Sequence, residues 1–234
     1  MSLKELLRLF EKNKQFLKDA DWIVCDVESP KWWGGLNSPE EIVISAILVQ
    51  LSTWTSVEKV LMKLRKAGLT NFRELAKADA EKLEELIKPV GLGKMKARRL
   101  ISFAREVMKL GGLERLKDVE DSRNFLMSFE GIGKETADAI ALFALNKPTI
   151  PISNYVRLVL GRVGLIESKK NYETLRKEIL EKLGEDLFSL KLLYAGITSI
   201  GRMVCKRDPR CEACPLREAC MTSKCKRKSK NPTK

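Results

Sequence analysis

The sequence predicts an all-α protein of two helical domains, with a glycine-cornered hairpin between two of its helices and a four-cysteine loop near the C-terminal end. Three observations carry this. Apolar residues recur at helical spacing along nearly the whole chain, while alternating apolar and polar runs of strand length are almost absent. The breaks between periodic stretches are short and marked by glycine or polar residues. The turn Phe129-Glu130-Gly131-Ile132-Gly133-Lys134 lies between two such stretches, Ser122 to Ser128 and Lys134 to Leu145.

Taken in order, Leu3 to Ala20 places Leu6, Leu7, Leu9, Phe10, Phe16 and Leu17 on one amphipathic opening helix. A loop then carries Ser29-Pro30, Trp32 and Trp33 as far as Ser38-Pro39. Ser38 and Glu41 have capping-box spacing and Pro39 suits the first helical position, so a helix is expected to about Leu51. Ile42, Val43, Ile44, Ala46, Ile47, Leu48 and Val49 make it apolar all round, which places it at the centre. Further helices are expected over Ser56–Lys66, Asn71–Ala76, Asp79–Ile87, Gly93–Lys109 and Asp121–Ser128, then Lys134–Leu145, Asn154–Val163, Tyr172–Leu183 and Leu187–Val204. The expected organisation is an N-terminal helix and Trp-bearing loop (1–34) packing with a cluster domain (147–221), a helical domain ending in the hairpin (35–146), and a basic tail (222–234).

A net charge of +13 over 234 residues points to a polyanion, nucleic acid before anionic membrane. The lysine excess and scarce glutamine also fit a solvated thermophile surface. No apolar run is long enough to span a bilayer and no leader is evident at the start, so a cytoplasmic protein is expected. With no histidine in the chain, proton chemistry falls to carboxylates, lysines, hydroxyls or water.

Gly131 and Gly133 let backbone amides crowd together at a helix N-terminus, where unpaired N–H groups and the helix dipole favour an anion. Gly131, Ile132, Gly133 and Lys134 are therefore candidate phosphate contacts. Cys205, Cys211, Cys214 and Cys220 follow a C-x5-C-x2-C-x5-C spacing. In a reducing compartment this is the donor set of a tetrathiolate centre, and spacing alone suits zinc and iron–sulfur equally. Arg202, Lys206, Arg207, Arg210 and Arg217 crowd the same stretch and are placed to meet phosphates. Cys25 and Cys225 lie outside the spacing and read as non-ligands, Cys25 as a small core residue.

The hairpin from Phe129 to Ala137, Pro148-Thr149-Ile150, the Gly91-Leu92-Gly93-Lys94-Met95-Lys96-Ala97 segment and the Gly201 to Cys220 run together resemble the endonuclease III group of helix-hairpin-helix DNA glycosylases. The resemblance spans residues 35 to 221. It implies a double-stranded damaged-DNA partner, a base flipped into a cleft between two helical domains, a monomer, and a [4Fe-4S] cluster on the four cysteines. The first cysteine gap is five residues where the family usually has six, which keeps zinc as the alternative.

Two departures bear on mechanism. Strand-nicking members carry a lysine nucleophile two residues after the second hairpin glycine, and here Glu135 stands there. Lys134 is one place earlier, turned about 100° around the helix. A monofunctional enzyme is expected, with Glu135 also serviceable as a first-turn acid. The family's catalytic aspartate corresponds to Ser153, which by itself reads as an N-cap for the helix beginning at Asn154.

Within the group the hairpin sequence, the Trp32-Trp33 pair and Gln50 look most like 3-methyladenine glycosylases of endonuclease III type. Their substrates, 3-methyladenine and 7-methylguanine, carry positive charge and leave as neutral bases. Trp32, Trp33 and Trp54 are candidate stacking faces, and Tyr155 a pocket wall. Gln50 is the family's residue for filling the gap left by the flipped base, or simply a helix end facing solvent. Asp138 is a spare carboxylate near the hairpin. The alternatives are a uracil or thymine-mismatch glycosylase of the same fold and a non-catalytic sensor of damaged DNA.

Overall fold

A computed structural model describes residues 1–222; Cys225 and the basic tail beyond Thr222 lie outside the described residues. The described residues are helical, with no strand beyond an isolated bridge between Trp22 and Trp33. The helices are α1 (Leu3–Lys12), α2 (Lys14–Lys18), α3 (Pro39–Leu48), α4 (Trp54–Lys66), α5 (Phe72–Leu75), α6 (Ala80–Ile87), α7 (Gly93–Lys109), α8 (Leu113–Asp118), α9 (Ser122–Met127), α10 (Lys134–Phe143), α11 (Asn154–Val163), α12 (Tyr172–Leu183) and α13 (Leu187–Met203). No helix among the described residues is long and apolar enough to cross a membrane. The chain divides into two compact units. One joins Met1–Gly35 to the described part of Pro148–Lys234, and the other is Leu36–Lys147.

In the Leu36–Lys147 unit α3 is the core, with every residue from Glu41 to Leu48 buried. It packs against α4, α7 and α10. Ser38 caps it by accepting the Glu41 N–H at 3.2 Å. The reciprocal half of the expected capping box is absent, because the Glu41 carboxylate is used elsewhere. It accepts the Asn37 N–H at 2.9 Å and both arms of Arg65 at 2.7 and 2.8 Å. Burial is the largest influence on Glu41 and would raise it, but Arg65 and the Asn37 amide outweigh that and hold it below its ordinary value. The helix stops at Leu48 rather than about Leu51, since Leu51 takes a left-handed backbone (φ 55°) that ends the α-helical ladder. Thr53 accepts the Ser56 N–H and so starts α4 at Trp54, two residues before the expected Ser56. Helix α8 has no counterpart among the expected helices; Gly112, at φ 107°, turns the chain into it.

In the other unit α13 is the core, buried from Leu190 to Gly201, and it packs against α1, α2 and α11. Two glycines allow the approach. A Cβ at Gly196 would collide with the Phe10 ring of α1, and one at Gly201 with the Tyr155 ring of α11. The opening helix is two pieces rather than one, because Asn13 leaves the helical region and its amide donates back to the Leu9 carbonyl at 2.8 Å.

Candidate active site

The hairpin takes its shape from its two glycines. Gly131 is left-handed (φ 82°), and a Cβ there would strike the Arg99 guanidinium, which lies against the turn and pairs with Glu130 at 3.1 Å. Gly133 is the N-cap residue of α10, with open space where a Cβ would stand. Ile132 is buried and anchors the turn, while Lys134 and Glu135 are exposed on the first turn of the helix. Phe129 packs on Phe103 of α7 with ring centroids 4.8 Å apart. The open face thus offers a helix N-terminus and a glycine backbone, a seat suited to a phosphate.

Three braces hold that seat. Arg123 of α9 donates to both carboxylate oxygens of Asp138 on α10, at 2.8 and 3.1 Å. Asp138 is fully buried and engaged, which corrects its reading as a spare carboxylate. The Gln50 amide nitrogen donates to the Gly131 carbonyl at 2.9 Å and the Thr136 hydroxyl at 3.0 Å, so its side chain lies on the hairpin rather than in solvent. Lys96 is buried, and its ammonium donates to the carbonyls of Leu48 and Gln50, each at 2.8 Å, and of Val90 at 3.1 Å. Burial first, and the Arg99 charge second, hold Lys96 below the ordinary lysine range. Lys96 was missed as a site-supporting residue, although a signal existed: it occupies the apolar stripe of α7 one turn ahead of Leu100, where a lysine has no place without partners.

In the other unit, Ser153 is buried and caps α11, accepting the Val156 N–H at 3.3 Å. The segment before it is fixed by the Tyr172 hydroxyl, which accepts the Ile152 N–H at 3.1 Å, and by Arg176 donating to Thr149 at 3.3 Å. Tyr155 packs its ring on Gly201 yet keeps 37% of its surface exposed. Trp33 stands edge-on to Trp22 at 5.4 Å and parallel to Tyr194 at 6.5 Å. Trp32 is corrected from the stacking set. Its ring is fully buried, edge-on to Phe188 at 5.6 Å, with its N–H donated to the Asp26 carbonyl at 2.9 Å. Trp54, in the Leu36–Lys147 unit, is half-buried at the first position of α4.

The cysteine loop is clasped by Arg162 of α11, a residue that nothing in the local sequence marks. Its guanidinium donates to the Cys205 sulfur at 3.2 Å, the Lys206 carbonyl at 2.6 Å and the Arg207 carbonyl at 3.4 Å. Burial pushes the Cys214 thiol up to about 11; the Leu216 backbone opposes this, and Cys205, Cys220 and Cys211 add to it. The four cysteines stand on one loop, although no group of three or more Cys, Asp or Glu among the described residues is arranged to hold a metal ion. By donor chemistry they fit a tetrathiolate centre.

Of the basic residues expected to face phosphate, Arg202 is turned inward. It donates to the Ala20 carbonyl and the Asp21 carboxylate, both at 3.0 Å, and so ties α13 to the left-handed Asp21 (φ 65°). Arg210 donates to the Met203 carbonyl at 2.6 Å while staying exposed, and Arg207 is exposed.

Residues 44–185 match the model of the HhH-GPD superfamily base excision DNA repair proteins. The chain is 34% identical over 206 residues to a Methanocaldococcus jannaschii protein provisionally named a DNA repair glycosylase, covering 86% of this chain and 93% of that one. It is 32% identical to endonuclease III of Thermotoga maritima, covering 79% and 83% respectively. Among solved structures, the 3-methyladenine DNA glycosylase of H. pylori bound to 1,N6-ethenoadenine superposes with a TM-score of 0.68 at 28% identity, over 85% of this chain and 94% of that one. The hairpin, the helical fold and these matches agree: the chain belongs to the HhH-GPD superfamily of base excision DNA repair glycosylases.

Proposed function

We propose that this chain is a monofunctional DNA glycosylase that hydrolyses the N-glycosidic bond of alkylated purines in duplex DNA. The observation that carries the monofunctional reading is Glu135, exposed at the second position of α10, where a strand-nicking relative would need a lysine. The hairpin amides from Gly131 to Lys134 seat a phosphate, and Arg207 and Arg210 add charge on the cysteine loop.

Ser153 has no charge with which to activate water, so the driving force comes from the substrate. A water oxygen bonds to the anomeric carbon as the C–N bond breaks. The electron pair of that bond goes to the purine and cancels its positive charge, and the water's proton passes to solvent. Tyr155, 37% exposed, offers an aromatic face for the cationic base, a gain of about 0.5–2 kcal/mol for a cation on a ring. Similarity to the H. pylori enzyme supports this substrate class. A second reading, removal of mispaired thymine, is favoured by 26% identity to the thymine-DNA glycosylase of Aeropyrum pernix, covering 81% of this chain and 85% of that one. Its base is neutral and makes an acid more necessary, which Ser153 cannot provide.

In this reading Cys205, Cys211, Cys214 and Cys220 would hold a [4Fe-4S] cluster, whose role would be to brace the loop that carries Arg207 and Arg210. An anaerobic preparation is expected to be brown and to lose its colour in Cys214→Ala; a colourless, zinc-loaded protein overturns the cluster.

The deciding experiment is chromatography of bases released from methylated DNA and from a duplex with a G·T mismatch, using this chain and its Ser153→Asp variant. Release of 3-methyladenine by the chain itself is expected. Release of thymine instead selects the second reading. Release by the Asp variant alone identifies a silenced enzyme, and tight duplex binding without release by either identifies a damage sensor.

A further inference from the structure

Arg99 has few partners for a guanidinium set so far into the protein. It projects from α7 to the hairpin, where it fills the space that a Cβ at Gly131 would need. Its side chain keeps 18% of its surface, and its Nε is buried with no hydrogen-bond partner. Glu130 is its one acceptor among the described residues, at 3.1 Å from a terminal nitrogen. A guanidinium has five N–H donors in a planar fork, so most of this one's capacity is unused.

Glu130 is a weak partner in an awkward place. Its side chain is 77% exposed, and an ion pair with so wet a member is readily opened. It also stands next to Gly131 in sequence, which sets a negative charge beside a seat suited to an anion. The neighbouring cation cannot answer that charge: Lys96 lies near enough to feel Arg99, but its ammonium is bound to the carbonyls of Leu48, Gln50 and Val90 and has no donor left. Arg99 is therefore the cation under the turn that is able to change partner.

We propose that Arg99 is a phosphate ligand held in reserve: Glu130 occupies it in the free protein, and a backbone phosphate takes it over when duplex DNA seats on the hairpin. The inference rests on the reading of the chain as a glycosylase of duplex DNA. The exchange returns an exposed carboxylate to water and gives the guanidinium an acceptor that matches its fork. Glycine at 131 serves it twice, by shaping the turn and by letting the guanidinium lie against the backbone there.

The test is the anisotropy of two end-labelled duplexes, one undamaged and one with a stable abasic analogue, titrated at several salt concentrations. The parent is expected to bind both. Arg99→Met is expected to weaken both by a similar factor and to reduce the slope of log affinity against log salt by about 1, as loss of one phosphate contact requires. Glu130→Gln is expected to tighten binding several-fold, because no carboxylate has to be displaced. That improvement is expected to be smaller in the Arg99→Met background, where there is no guanidinium to release. An unchanged salt slope in Arg99→Met overturns the phosphate contact. An equal or larger improvement in the Arg99→Met background overturns the exchange, since Arg99 then only shields Glu130. If Arg99→Met does not fold, Glu130→Gln decides alone, being a change on the surface: tighter binding supports the exchange and unchanged binding overturns it. In each of these cases the glycosylase reading stands, whereas a parent chain that does not bind duplex overturns that reading and the exchange with it.

Discussion

Arg123 holds Asp138 by two N–H···O bonds, at 2.8 and 3.1 Å, and so locks the two arms of the hairpin through a carboxylate with no exposed surface. Breaking a buried pair by removing the cation leaves a charge in the interior, at a cost of about 3–5 kcal/mol. Arg123→Met is therefore expected to lower the urea midpoint strongly, while Asp138→Ala, which leaves a guanidinium able to reach water, costs less. Equal losses, measured with unchanged denaturant slopes, would show that burial of the carboxylate does not set the cost.

Ser153 separates stability from chemistry. Its hydroxyl accepts the Val156 N–H at 3.3 Å, and losing such a cap costs about 1 kcal/mol. Ser153→Ala should lose that amount, whereas Ser153→Asp should keep the cap and unfold close to the parent. A neutral Ser153→Ala would mean that the cap does not contribute.

Glycine at 196 and 201 of α13 is required by ring contact. In a free helix Gly→Ala is stabilising by about 0.5–1 kcal/mol. Here the added methyl meets Phe10 or Tyr155, and overpacking of this kind costs about 1–3 kcal/mol. Both substitutions are expected to lower Tm, with Tyr155→Ala rescuing Gly201→Ala specifically. A raised Tm in either single variant would remove the close approach.

Lys191 gives the fold a pH signature. Its ammonium donates to the Val27 carbonyl at 2.6 Å. Burial lowers it to about 8 from an ordinary 10.5, against the opposing pull of Cys25, Glu28 and Asp26. From about pH 8 to 10.5 the unfolded chain keeps a proton that the native chain has released, so this group's contribution to stability rises with pH across that window. Below pH 8 its penalty is fully present. Relative to Lys191→Met, the parent's Tm should therefore climb from pH 8 to pH 10; parallel profiles would show an ordinary lysine.

Much of the candidate site was legible because its signals are local. Gly131 and Gly133 announce a turn into a helix within a few residues, and Ser38 and Ser153 announce caps in the same way. Trp32 and Arg202 were misjudged for one reason. An indole or a guanidinium suits a ligand and a protein partner equally well, and their partners, Phe188 and Asp21, are far off in sequence.

The sequence by itself determined the helical class, the hairpin, the cysteine spacing and the family, since each is written in patterns shorter than a helix or in residue types alone. Only the tertiary structure decided that Lys96 is spent on three carbonyls, that Arg162 clasps the cysteine loop, that Asp138 is bound rather than spare, and that Leu51 stands in solvent. The physical reason is common to them. A buried charge is tolerated only where distant backbone or a counter-ion meets it, and an apolar side chain is exposed only where packing leaves it so.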